Sequence, residues 1–269
     1  MTTRTGHLEL SDGARLWFET RGEGPWATFL HPGLWDSRVW DREFDAWSDR
    51  FRVLRYDFRG YGRSSRLTGA PYSHVDDLRA LLDEVGADET ALVGCSMGGA
   101  AAIDFTLTEP SRITALVAVA PGLGGFEALE EEEDWWEQRG APIQRAIEAG
   151  DLEHAEDLRL EIWAPLGVDS EGGAAIRRIA FDNIHEMTMD ESAEIGIDPP
   201  AAVRLGDIDV PTLVVVAEHD PPDSKRCAEL IAREVLDGRA IAIDADHVVN
   251  LRAPEAFESA VLPFLVENA

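Results

Sequence analysis

Lysine is almost absent from this chain: of its 24 basic residues, Lys225 is the one lysine and the rest are arginine. Bases as a class are also scarce, since 52 acids leave a formal net charge of −28. Phosphate backbones are bound by a basic face, so nucleic acid is excluded as a partner. An anionic membrane surface would repel the same charge. Cysteine is nearly missing too, with only Cys95 and Cys227, far apart in sequence. That implies no disulfide framework and points to a reducing compartment. The seven histidines are scattered, and neither His-x-x-x-His nor Cys-x-x-Cys occurs, so no metal site is expected. No glycine-rich loop matches a dinucleotide or triphosphate site, so no cofactor is expected. No apolar run approaches the ~20 residues needed to span a bilayer. The opening Met-Thr-Thr-Arg-Thr-Gly-His carries no apolar signal region. The expectation is a cytoplasmic monomer or homodimer acting on a small-molecule substrate.

What is present begins with length and apolar content. A chain of 269 residues that is 45% hydrophobic can bury one large core with a modest insertion. His7–Leu10 and Arg15–Glu19 alternate by side around Ser11-Asp12-Gly13, which predicts a hairpin. Short apolar runs follow at Ala27–Leu30, Phe51–Tyr56, Thr90–Val93, Ile113–Val119, Thr212–Ala217 and Ala240–Ile243. Such runs suit strands buried on both faces of a parallel sheet. Helical patterns lie between and after them at Arg38–Trp47, His74–Val85, Met97–Thr108, Ser224–Val235 and Pro254–Val266. Strand alternating with helix predicts an α/β fold with a doubly wound, mostly parallel sheet of eight strands.

The alternation stops after Gly122. Up to Leu205 there are helix signals near Gln144–Ala149, Leu152–Trp163 and Ala174–Met189 but no strand, together with an acidic run at Glu130–Asp134. The chain therefore divides into a core of residues 1–121 and 206–269 and an inserted helical cap, or lid, of residues 122–205. The acidic run reads as a solvated helix face. Gly122-Leu123-Gly124-Gly125 reads as the hinge into the cap.

The chemistry centres on Gly94-Cys95-Ser96-Met97-Gly98-Gly99, set between a strand pattern and a helix pattern. A strand that turns sharply into a helix strains its turn residue, and only small neighbours fit around it. The turn projects the Ser96 hydroxyl off the sheet, beside a helix N-terminus that favours negative charge. Serine needs a general base, and His247 follows the last strand, where ligands bind in sheets of this kind. Asp220, after the run Thr212–Ala217, supplies the carboxylate that orients the base; Glu218, Asp223, Asp244 and Asp246 compete for that role. An oxyanion formed by acyl transfer needs backbone donors. The Met97 N–H is one; Gly33, in His31-Pro32-Gly33-Leu34, is the second, with Leu34 as the alternative. Pro32 has no N–H to give. His31 is expected to brace this loop, and His219 to belong to loop structure.

Four blocks in this order resemble the α/β-hydrolase superfamily along nearly the whole chain: His31-Pro32-Gly33, Asp57-Phe58-Arg59-Gly60-Tyr61-Gly62-Arg63-Ser64, Gly94–Gly99, and Asp220 followed by His247. The resemblance implies a cofactor-free serine hydrolase, and for the second block a structural turn in which Asp57 and Arg59 hold loops. Leu34-Trp35-Asp36-Ser37-Arg38-Val39-Trp40-Asp41 and the short cap are similar to 3-oxoadipate enol-lactonase-like hydrolases. The chain departs from that pattern at Pro32, where glycine is usual, and at Asp244 and Asp246, where small residues often precede the histidine. Ser96 stands where haloalkane dehalogenases and epoxide hydrolases carry aspartate.

The expected reaction is hydrolysis of a small carboxylic ester or lactone through an acyl-enzyme, by Ser96, His247 and Asp220. Leu34, Trp35, Trp135, Trp136 and Trp163 are the candidate pocket lining, with the tryptophan pair equally able to glue the cap to the core. The net charge makes a neutral substrate easier to attract than a dianion. Three alternatives use the same scaffold: C–C bond hydrolysis or perhydrolysis, amide or iminopeptidase hydrolysis, and ligand binding without turnover.

Overall fold

The structure, a computed structural model, describes residues 2–269. The first hairpin is β1 (Arg4–Glu9) and β2 (Arg15–Arg21), followed by β3 (Trp26–Leu30). A single turn of 3-10 helix, Ser37–Trp40, runs into α1 (Asp41–Trp47), so the predicted helix from Arg38 divides into two kinds of turn. Then come β4 (Arg52–Tyr56), α2 (His74–Val85), β5 (Thr90–Cys95), α3 (Met97–Thr108) and β6 (Ile113–Val119). The segment before the next strand holds α4 (Glu130–Glu148), α5 (Leu152–Trp163) and α6 (Gly173–Asp182), with no strand among the described residues. The chain closes with β7 (Thr212–Ala217), α7 (Pro222–Glu234), β8 (Gly238–Ile243), the short α8 (Val249–Arg252) and α9 (Pro254–Asn268).

The eight strands form one sheet in the order β1-β2-β4-β3-β5-β6-β7-β8. The pairs β1·β2 and β2·β4 are antiparallel, and every later pair is parallel. Alternate residues of the central strands enter two separate cores. Val53, Val93 and Val117 face one with Trp40, Trp47 and Phe257. Leu54, Leu92 and Leu116 face the other with Leu78, Phe105 and Ile231. Burial on both faces is why these strands read as continuous apolar runs and not as alternating ones.

Two helix boundaries differ from the sequence reading. The single helix α4 spans Glu130–Glu148, joining the acidic run read as a helix face to the helix signal at Gln144–Ala149. Four glutamates at its start suit the positive end of the helix dipole, and Pro142 sits inside it without ending it. The predicted helix Ala174–Met189 ends at Asp182, after which Ile184–Thr188 winds as a 3-10 turn.

Candidate active site

The strain in this molecule is concentrated. Among the described residues, three non-glycine residues have positive φ: Leu34 (66°), Ser96 (53°) and Ala120 (41°). Each follows the end of one of three neighbouring strands, β3, β5 and β6, so all three sit at the same edge of the sheet. Such conformations persist only where the surroundings over-determine them, and they concentrate at functional sites.

The surroundings of Ser96 do so through backbone bonds and glycine. The Ser96 N–H donates to Val119 O (3.0 Å), while its carbonyl accepts from Ala100 N–H (2.9 Å) and Gly122 N–H (3.0 Å). A Cβ on Gly94 would lie 2.2 Å from Gly98 O, and one on Gly98 2.3 Å from Leu30 O. The turn therefore closes only with glycine on both sides of the serine.

His247 and Asp220 are brought together across 27 residues of chain. The His247 Nδ1 lies 3.0 Å from each Asp220 oxygen, with both side chains almost wholly buried. A carboxylate acceptor there fixes the proton on Nδ1 and leaves Nε2 as the basic nitrogen. The backbone of His247 is held as well: its N–H donates to Trp163 O (3.3 Å), and the Cys95 thiol donates to its carbonyl (3.5 Å). Burial pushes the Cys95 thiol well above its ordinary range, so it serves as a neutral donor.

Two of the competing acids are engaged elsewhere. Asp246 accepts Arg252 Nε through both oxygens (2.7 and 2.9 Å), and Asp244 pairs with His219 Nε2 (2.7 Å). Burial raises the Asp246 carboxyl, against the lowering effect of Arg252.

Ser96 and His247 share the wall of one pocket of about 240 Å³, whose lining includes Leu123, Phe126, Trp163, Asp223 and Cys227. No hydrogen bond joins the Ser96 hydroxyl to the His247 ring among the described residues. Such bonds are often long or misaligned without substrate. Trp163 lies with its ring 4.4 Å from the His247 ring.

The other proposed lining residues do not reach this pocket. Leu34 and Trp35 are packed into the core, with the Trp35 Nε1–H donating to Ile176 O of α6 (2.9 Å). Trp136 packs behind Trp163 at 5.3 Å with the rings tilted, and Trp135 meets Trp136 edge to face at 5.0 Å, a row of rings that joins α4 to α5. Phe126, Asp223 and Cys227 carried no signal for a pocket, because their sequence neighbourhoods read as loop or amphipathic helix. A larger cavity of about 550 Å³ between α5, α6 and α8 shares no lining residue with the Ser96 pocket.

The loop after β3 faces the same edge. Phe58 N–H donates to His31 Nε2 (2.9 Å), which puts the ring proton on Nδ1, bonded to Pro32 O (2.8 Å). Burial lowers the His31 pKa and favours that neutral form. Asp57 ties the loop from below: Ser37 N–H donates to one oxygen (3.0 Å) and Arg63 N–H to the other (2.8 Å). Arg59 grips Asp77 with two bonds and also reaches Asp12. Asp57 and Arg59 are thus structural ties beneath the strand ends.

These features define a class of protein: a hydrolase-type sheet with a strained serine and a histidine–carboxylate pair at its ligand-binding edge. The chain has the α/β-hydrolase fold. The family described as "alpha/beta hydrolase fold" matches residues 29–161. A protein provisionally named the carbamate hydrolase RutD, from Caulobacter sp. strain K31, is 29% identical over 265 residues, covering 89% of this chain and 90% of its own. The 3-oxoadipate enol-lactonase 1 of Acinetobacter baylyi is 23% identical over 234 residues, covering 82% and 81%. The crystal structure of a hydrolase from Pseudomonas aeruginosa PA01 superposes with a TM-score of 0.74 at 26% identity, covering 97% of this chain and 98% of that one. These relatives are named as a hydrolase and a lactonase, and no helix among the described residues is long and apolar enough to cross a membrane.

Proposed function

We propose that this protein hydrolyses a small carboxylic ester or lactone through an acyl-enzyme on Ser96. The observation that carries the reading is the strained Ser96 lining a pocket that His247, bonded to Asp220, also lines. His247 takes the hydroxyl proton as Oγ attacks the carbonyl, and Asp220 stabilises the imidazolium. The oxyanion is held by the N–H groups of Met97 and Gly33. His247 then protonates the departing alcohol, and a water it activates releases the acid. Residues 122–205 act as the lid, and Trp163 carries its contact to the histidine. Likeness to an enol-lactonase supports an ester or lactone bond.

Replacing Ser96 by Ala is expected to lower turnover of a short p-nitrophenyl ester about 10⁴-fold or more while the melting temperature stays within about 1 °C. Retained turnover removes Ser96 from the reaction. Carbamate cleavage by the same residues is the second reading, favoured by the likeness to RutD. A matched methyl ester and methyl carbamate separate the two by their kcat/KM.

A further inference from the structure

The pocket beside Ser96 is walled mainly by Ala120, Pro121, Leu123, Phe126 and Trp163. Into this apolar wall comes one carboxylate outside the proposed reacting set, Asp223. It stands in the first turn of α7, three residues beyond Asp220, and is only partly exposed. Its Oδ1 is buried and accepts no hydrogen bond.

The obvious cation makes no hydrogen bond to this group. Arg226, three residues further along α7, is committed to Glu132: its Nε donates to one carboxylate oxygen at 2.8 Å and Nη2 to the other. The same Nη2 donates to Glu127 O at 2.7 Å. The start of a helix favours an ionised carboxylate, which accounts for the charge but not for the missing partner. A shielded carboxylate oxygen without a donor is costly. A carboxylate residue on a pocket wall that no protein cation pairs becomes a selector when the ligand brings the positive charge. The net charge of −28 acts in the same sense, since its field draws cations toward the surface.

We propose that Asp223 is a specificity-determining residue that receives the ammonium group of a small cationic ester. The inference rests on the ester-hydrolase reading above and adds the substrate's charge. A pocket of about 240 Å³ limits that substrate to a compact molecule.

The test uses two isosteric pairs. On the alcohol side, 2-(dimethylamino)ethyl acetate is compared with 3-methylbutyl acetate. On the acyl side, methyl N,N-dimethylglycinate is compared with methyl 3-methylbutanoate. Acid release is followed at pH 6.5, where both amines are mainly protonated. The unmodified protein should favour the cationic member of at least one pair in kcat/KM. In Asp223→Asn that preference should fall about ten- to hundredfold, the size of one hydrogen bond between charged partners, and the loss should lie in KM. A cationic and a neutral ester that decline together would mark a merely structural role and overturn the proposal. So would absence of any preference in both pairs. Calorimetry with Ser96→Ala, with and without Asp223→Asn, reads binding of the same four esters without chemistry. If the unmodified protein turns over none of the four, the ester-hydrolase reading fails, and the calorimetric difference still decides the role of Asp223.

Discussion

The two walls of the Ser96 pocket are built in opposite ways. The sheet side is all burial: every residue of β5 is buried, and the serine backbone is held by three hydrogen bonds between buried elements. The inserted side is mostly surface: of the 19 residues of α4, only Glu132 and Ala146 are buried. The side-chain ties of α4 include the Glu132–Arg226 pair and the tryptophan contacts that run through Trp163 to His247. On the proposed reaction, the wall that holds the Ser96 hydroxyl tolerates little slack, because a small misplacement costs much of the rate. A wall that selects substrates can be assembled from few contacts and can open.

The largest expected break in this contrast is on the rigid side. An added methyl at Gly98→Ala would sit 2.3 Å from Leu30 O and 2.7 Å from His31 O, both backbone atoms that cannot swing away. Chemical denaturation should show a loss of about 3 kcal/mol, and a loss below about 0.5 kcal/mol would mean that the elbow is less constrained than described.

The rigid side also carries a pH-dependent weakness. Glu43 of α1 is buried, bonded to Asn250 Nδ2 at 2.9 Å, and burial raises its carboxyl to about 7 from an ordinary 4.5. The folded state then binds more protons than the unfolded chain between those two values. Its contribution is therefore favourable at low pH and is lost as pH rises through that window. Glu43→Gln should raise the melting temperature at pH 8 by about 3 °C and leave it nearly unchanged at pH 5. An equal shift at both pH values would contradict the assignment.

The smallest effect on stability is expected on the inserted side. Arg226→Ala removes a pair whose arginine is one-third exposed, so the global cost should be below about 1 kcal/mol. Limited proteolysis of residues 127–140 should nonetheless quicken several-fold, because local opening depends on few contacts. Unchanged cleavage would show that the tryptophan contacts secure α4 without this pair.

Much of the rigid side was legible in the residues themselves. Runs such as Ile113–Val119 announce a doubly buried strand, and Gly94 to Gly99 announce a strained turn, because these signals are local and rest on periodicity and backbone sterics. The inserted side was less legible. The helix α4 is charged at its start, and its few buried residues give little periodic signal, so the acidic run and Gln144–Ala149 were not joined into one helix.

What the amino-acid order determined by itself was the strand–helix alternation, the position of Ser96 at the elbow, and a short list of acids that could serve His247. Which acid meets the imidazole was decided only by tertiary structure: Arg252 captures Asp246, His219 captures Asp244, and Asp220 is left to Nδ1. The same is true of Trp35, buried beneath α6, and of Asp223, set into the pocket wall. Partner choice among like-charged side chains depends on how distant segments close in space, and hydrophobic periodicity along one segment carries no record of it.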